Sequence, residues 1–97
     1  MHYHFEWDPA KAAANLKKHR VSFEQATEIF KDPIALTVYA EDSSGDEERW
    51  VTLGEVQQQY YLVVVHTYHD SEINVVRIRI ISARLATKQE IKQYGHG

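Results

Sequence analysis

Beyond Asp32-Pro33 the chain carries four apolar, β-branched runs, over 34–39, 50–56, 60–68 and 73–83. They are separated only by an acidic Ser-Gly loop, by Gln57-Gln58-Gln59 and by His69-Asp70-Ser71. A parallel connection needs a crossover of about a dozen residues or more, which most of these links lack. The spacing therefore predicts an antiparallel meander, and the rest of the chain must supply what covers it.

The first third of the sequence has helical punctuation. Tyr3, Phe5 and Trp7 alternate with polar residues and predict a short strand. Asp8 is placed as an N-cap with Pro9 at the first helical position, where a missing N–H costs nothing. Ala10, Ala13, Ala14 and Leu16 offer that helix a narrow apolar face. Ser22 with Gln25 has capping-box spacing, Val21 with Ala26 has staple spacing, and Phe23, Ala26 and Phe30 share a face beside Thr27. Asp32 precedes a proline, so the second helix ends there. At the other end Thr87 with Glu90 and Ala86 with Ile91 repeat the box and staple, and Gly95 closes the last helix. The order is β-α-α-β-β-β-β-α. It reads as an α+β fold, a mainly antiparallel sheet packed against helices, in one domain over residues 1–97.

Composition narrows the function classes. The 97 residues contain no cysteine, which excludes disulfides, thiolate metal sites and cysteine nucleophiles. No apolar run reaches membrane-spanning length, and Met1 to Trp7 lacks the basic start and apolar stretch of a signal peptide. A cytoplasmic location, with no membrane partner, is the expectation. The net charge of −3 opposes nucleic-acid binding, but it is unevenly spread. Residues 73–97 hold Arg77, Arg79, Arg84, Lys88 and Lys92 against Glu90 alone, a local balance of +4. Residues 41–48 hold five carboxylates and no base.

The last strand concentrates the basic residues. Arg77 and Arg79 lie two apart and point to one face, opposite Ile78 and Ile80. Ile80-Ile81-Ser82 breaks the alternation and predicts a bulge that re-aims Arg84. Such a pair is a platform for an anion, or else a set of partners for the carboxylates of 41–48. His2 and His4 share a strand face as two possible metal ligands without a third.

Taken in order, several blocks resemble the BrnT family of toxins. They begin with Phe5-Glu6-Trp7-Asp8-Pro9-Ala10-Lys11, Asn15-Leu16-Lys17-Lys18-His19 and Val21-Ser22-Phe23-Glu24. Asp32-Pro33, Glu48-Arg49-Trp50-Val51-Thr52-Leu53-Gly54 and Val64-Val65-His66-Thr67 follow. Arg77-Ile78-Arg79-Ile80-Ile81-Ser82-Ala83-Arg84, then Ala86-Thr87, Glu90 and Tyr94, complete the match. The resemblance implies a RelE-like fold, ribonuclease activity and a BrnA-like DNA-binding antitoxin, with operator DNA bound through the complex. It implies no cofactor. Two departures stand out: Arg20 replaces the usual glycine at the exit of the first helix, and the turn from His69 to Asn74 is longer.

Metal-independent RNA cleavage needs an in-line attack by the 2′-hydroxyl, a base, an acid, and cations on the phosphate. Arginine forks suit the phosphate. Arg49, Arg77, Arg79 and Arg84 are the candidates, with His66 as acid or base. Lys18, His19, Lys88 and Tyr94 are expected to touch RNA. The resemblance implies a site that relies on positioning and charge more than on a histidine pair. His66 as a hydrogen-bonded core residue, and Lys18-His19 as a helix C-terminus complementing its dipole, remain open alternatives. So do a non-catalytic toxin acting on a protein, and a decayed toxin that serves only in autorepression with its antitoxin.

Overall fold

The computed structural model describes residues 2–40 and 47–94, without the side chains of Ser71 and Glu72. Most of the acidic run and the helix-closing Gly95 lie outside these residues. The elements are β1 (His2–Glu6), α1 (Pro9–His19), α2 (Phe23–Thr27) running into a 3-10 turn (Glu28–Lys31), β2 (Leu36–Ala40) and β3 (Arg49–Val56). Then come β4 (Tyr60–His66), β5 (His69–Glu72), β6 (Val75–Leu85) and α3 (Lys88–Gln93). The sheet order is β1-β6-β4-β3-β2, with β5 also paired to β6. Every pairing is antiparallel except β1 with β6. The fold is α+β with a mainly antiparallel sheet. One strand more than expected forms, because His69–Glu72 pairs with β6 instead of remaining a turn.

Local chemistry sets the helix ends. Asp8 accepts from Ala10 N–H at 2.8 Å with Pro9 inside the first turn. Ser22 with Gln25, and Thr87 with Glu90, form reciprocal capping boxes. α1 ends on Arg20 in the left-handed region, φ 62, its N–H bonded to Leu16 O. An arginine there accepts the strain that a glycine would avoid. α2 is shorter than expected: after Thr27 it tightens into the 3-10 turn, which buries Ile29 where Phe30 was expected to lead.

The buried side of α1 also differs from the expectation. Ala10, Ala13, Ala14 and Leu16 are exposed, and Ala12 and Asn15 face inward. Asn15 is the reason. Its Nδ2 donates to Val21 O and Ala83 O at 2.9 Å each, and its Oδ1 accepts from Ala83 N–H at 3.1 Å. β1 stops at Glu6, opposite Arg79, so β6 beyond that point has lost its neighbour on this side. The Asn15 amide takes over as a one-residue strand. Three hydrogen bonds outweigh the apolarity of the alanine stripe, since unpaired buried backbone groups cost more than exposed alanines.

The sheet thus has two faces. The inner face carries Thr52, Gly54, Val56, Leu62, Val64, His66, Val76, Ile78, Ile80 and Ala83, buried with Val21, Phe23, Ala26 and Ile29 of the helical layer. The 3-10 turn approaches β3 so closely that a Cβ on Gly54 would stand 2.8 Å from Ile29 Cβ. On β6 the register slips between Val65/His66 and their partners Ser82/Ile80, leaving Ile81 unpaired. This is the expected bulge. It reverses the alternation, so buried Ala83 follows buried Ile80 by three residues and Arg84 joins the outer face with Arg77 and Arg79.

Candidate functional site

The outer face gathers its charges at the end of the sheet where β1, β5 and β6 meet. Strand register fixes one row across it: His4 of β1 is opposite Arg77, and His69 of β5 is opposite Arg77 from the other side. The next row holds Glu6 opposite Arg79. Arg77 Nε lies 3.4 Å from Glu6 Oε1, and Arg79 donates to Glu47. His69 Nε2 is 3.8 Å from the other oxygen of Glu47. Arg49, the first residue of β3, shares a face with Val51 and lies close enough to act on the same carboxylate. The hydrogen bond from Arg79 chiefly holds the Glu47 carboxyl below its ordinary range, with the charges of His69 and Arg49 adding to it. Arg49 Nε is buried and has no hydrogen-bond partner among the described residues. One carboxylate thus gathers two guanidinium groups and an imidazole.

Arg84 lies on the same face but toward the far end of β6. Its two terminal nitrogens meet the two oxygens of Glu90 at 2.8 Å each, a bidentate clamp between β6 and α3. That clamp, with the Thr87 backbone bond, holds Glu90 down to about 2. Tyr94 completes the anchorage: its hydroxyl donates to Asp32 and its ring meets Tyr61 edge-on, centroids 5.0 Å apart. Burial raises the Tyr94 hydroxyl above its ordinary range, and the Asp32 bond raises it further. Asp32 is itself pushed up by burial, but bonds from Tyr94, Glu55 N–H and Ile34 N–H outweigh that and leave it lowered. Lys88 opens α3 and is exposed.

His66 is fully buried, at 0% exposure, on the inner face. Its ring lies edge-on to Phe30 and Tyr68, centroids 4.9 and 4.8 Å away. Its Nδ1 is 3.4 Å from Thr67 O, which can only accept, so the single N–H of the neutral ring belongs there. Nε2 then accepts from Thr52 Oγ1 at 2.7 Å, and Thr52 accepts from Thr37 at 2.8 Å. Burial lowers its pKa to about 4, against a small opposing effect of Thr67, and the ring is neutral at physiological pH. Lys18 and His19 stand elsewhere, on the α1 edge beside Ile81 and Ser82, in a shallow hollow shared with Lys11.

The structure therefore separates the sequence-derived candidates into four places. Arg49, Arg77 and Arg79 come together, Arg84, Lys88 and Tyr94 mark the α3 end, Lys18 and His19 mark the α1 edge, and His66 is in the core. The run 41–48 was one expected source of partners for the strand arginines, and Glu47 is that partner of Arg79. Glu6 and the histidine row were not legible, because only the β1–β6 and β5–β6 registers bring them to the arginines. Among the described residues no group of three histidine, aspartate or glutamate side chains can hold a metal ion, and no helix is long and apolar enough to cross a membrane.

The comparisons with known proteins fit this architecture. Residues 7–90 match the family model described as the ribonuclease toxin, BrnT, of type II toxin–antitoxin systems. The crystal structure of the Brucella abortus ribonuclease toxin BrnT superposes with a TM-score of 0.64 at 20% identity, covering 91% of this chain and 100% of that one. At that identity the superposition speaks to the fold alone. No curated protein sequence matches significantly. A type II system pairs its toxin with an antitoxin, so the family match implies such a partner. With its family model matched over most of its length, this chain belongs to the BrnT family of type II ribonuclease toxins.

Proposed function

We propose that this chain is a metal-independent endoribonuclease that binds the scissile phosphate with Arg77, Arg79 and Arg49 on the outer face of the sheet, and that a BrnA-like antitoxin neutralises it. The observation that carries this reading is the placing of Arg77 and Arg79 on one exposed face, where their ion-pair partners among the described residues are partly exposed carboxylates. Exposed ion pairs contribute little, so phosphate oxygens can replace Glu6 and Glu47 at small cost. The guanidinium fork then binds phosphate through two bonds. Lys18, His19 and Lys88 extend the path for the RNA backbone. Arg84 and Tyr94 hold α3 beside it, and neutral His66 supports β4 from within. In the operon the antitoxin complex binds operator DNA. The single domain over 1–97 works in the cytoplasm on this reading.

The test is direct. Purified free protein, RNA and a chelator should give fragments ending in 2′,3′-cyclic phosphate and 5′-hydroxyl. Intact RNA in the presence of folded protein overturns the reading. A second reading has one observation in its favour: Leu36, Val38, Val51, Leu53 and Val63 line an apolar groove on the outer face, bordered by Glu90 and Gln93. A toxin that acts on a protein target through this groove would stop growth without RNA fragments, and Val38→Asp would disarm it while Arg79→Ala would not.

A further inference from the structure

Transesterification of RNA needs two proton-transfer groups, one on each side of the phosphorus. The sheet register offers two imidazoles in that relation. His4 and His69 flank Arg77 in a single row across β1, β6 and β5, with their side chains on the outer face. Two strand spacings separate their Cα atoms, about 10 Å, which leaves room for a phosphate over Arg77 between the rings. Both histidines are exposed, whereas His66 is sealed in the core. We propose that His4 and His69 are the proton-transfer pair of this site, an inference that rests on the ribonuclease reading above.

The surrounding charges give each ring a task. His4 faces Arg77 of β6, with His2 and Glu6 on its own strand. His69 faces Arg77 and Arg79 of β6 and Glu47, with Arg49 behind that carboxylate. Phosphate displaces only the Glu47 oxygen on Arg79, and the other oxygen stays beside His69 Nε2, which assigns His69 the acid and His4 the base. As the O2′–P bond forms, the neutral His4 ring takes the 2′ proton. As the P–O5′ bond breaks, the His69 imidazolium gives its proton to O5′. The products are the cyclic phosphate and the 5′-hydroxyl, the two rings have exchanged protonation states, and solvent resets them. Arg77 and Arg79 hold the non-bridging oxygens throughout.

Initial cleavage rates of a short RNA, measured with chelator from about pH 5 to pH 9, test the pair. The full-length wild type should give a bell-shaped profile. His4→Ala should lose the acidic limb and His69→Ala the basic limb, each with a rate at the optimum lower by about a hundredfold. Affinity for the same oligonucleotide carrying a 2′-deoxy sugar at the cleavage position should stay at the wild-type value in both variants. If the wild type cleaves and both variants keep its rate and both limbs, the pair is refuted and the ribonuclease reading stands. If the variants lose rate and affinity together, the histidines only bind RNA, and the pair is again refuted. If the wild type leaves RNA intact, the ribonuclease reading fails and takes the pair with it.

Discussion

On the inner face of the sheet, His66 and Asn15 are closed off from water, and their ring and amide groups are bonded inside the protein. On the outer face, Arg77 and Arg79 keep much of their surface in solvent and share carboxylates that are themselves partly exposed. Both sets are polar residues that meet the same sheet, Asn15 from α1 and His66, Arg77 and Arg79 on its strands. The difference is what removing them leaves behind. An inner group leaves buried backbone or ring atoms unpaired, which is expensive. An outer group leaves a carboxylate that water can solvate. Polar residues of the inner face are therefore structural, whereas Arg77 and Arg79 of the outer face could exchange one anion for another at small cost.

The sharpest way to break that division is Asn15→Leu. It strips partners from Val21 O, Ala83 O and Ala83 N–H at once. The expected loss is about 3 kcal/mol or more, at roughly 1–3 kcal/mol for each buried group left unpaired. Urea unfolding measures it, and a loss no larger than that of an exposed site would mean the amide does not stitch β6 to α1.

The next effect is acid sensitivity through His66. Its folded pKa of about 4 lies below the ordinary value of 6.5, so the unfolded chain binds the proton more readily. Stability from this group is full above pH 6.5 and falls as pH drops toward 4, by up to about 3 kcal/mol at 1.36 kcal/mol per unit. Unfolding free energies across that window should fall with pH in the wild type. His66→Phe should flatten the slope, and an unchanged slope would show that other groups set it. Below that window Glu90, lowered to about 2, adds a smaller loss as pH falls from 4.5 and the Arg84 clamp is protonated away.

Gly54→Ala is predicted to cost about 1–3 kcal/mol, the usual range for forcing volume into a packed core. The new methyl meets Ile29 Cβ at 2.8 Å, on a turn with little room to retreat. Thermal melts of wild type and variant check this, and an unchanged melting temperature would contradict a clash at that contact.

Much of this fold is legible in the sequence where the determinants are local. Ser22 and Gln25, Thr87 and Glu90, and Asp8 before Pro9 mark helix starts because the hydrogen bonds span two or three residues. The Ile80-Ile81 doublet betrays the bulge, since no regular strand places both on one face. The even spacing of Arg77 and Arg79 gives their common face. What the sequence hides is non-local. Asn15 reads as a polar interruption of an alanine helix until Ala83, 68 residues away, is seen to need it. β5 reads as a turn because its partner is β6, not its own side-chain pattern. Glu6 beside Arg79 and the His4–Arg77–His69 row exist only through register, which a strand's composition does not declare. Hence the arginines of the candidate site and the acidic run that supplies Glu47 were readable, while Glu6 and the flanking histidines were not.

On the proposed function Arg77 and Arg79 serve a ligand and not the fold. The double variant Arg77→Ala/Arg79→Ala, assayed side by side for melting temperature and RNA cleavage, tests it most directly. The account predicts a melting temperature within a few degrees of wild type and cleavage reduced by at least about a hundredfold, the usual cost of losing preorganised charge at a reacting phosphate. A variant that still cleaves at the wild-type rate, or one that loses activity only because it unfolds, would contradict it.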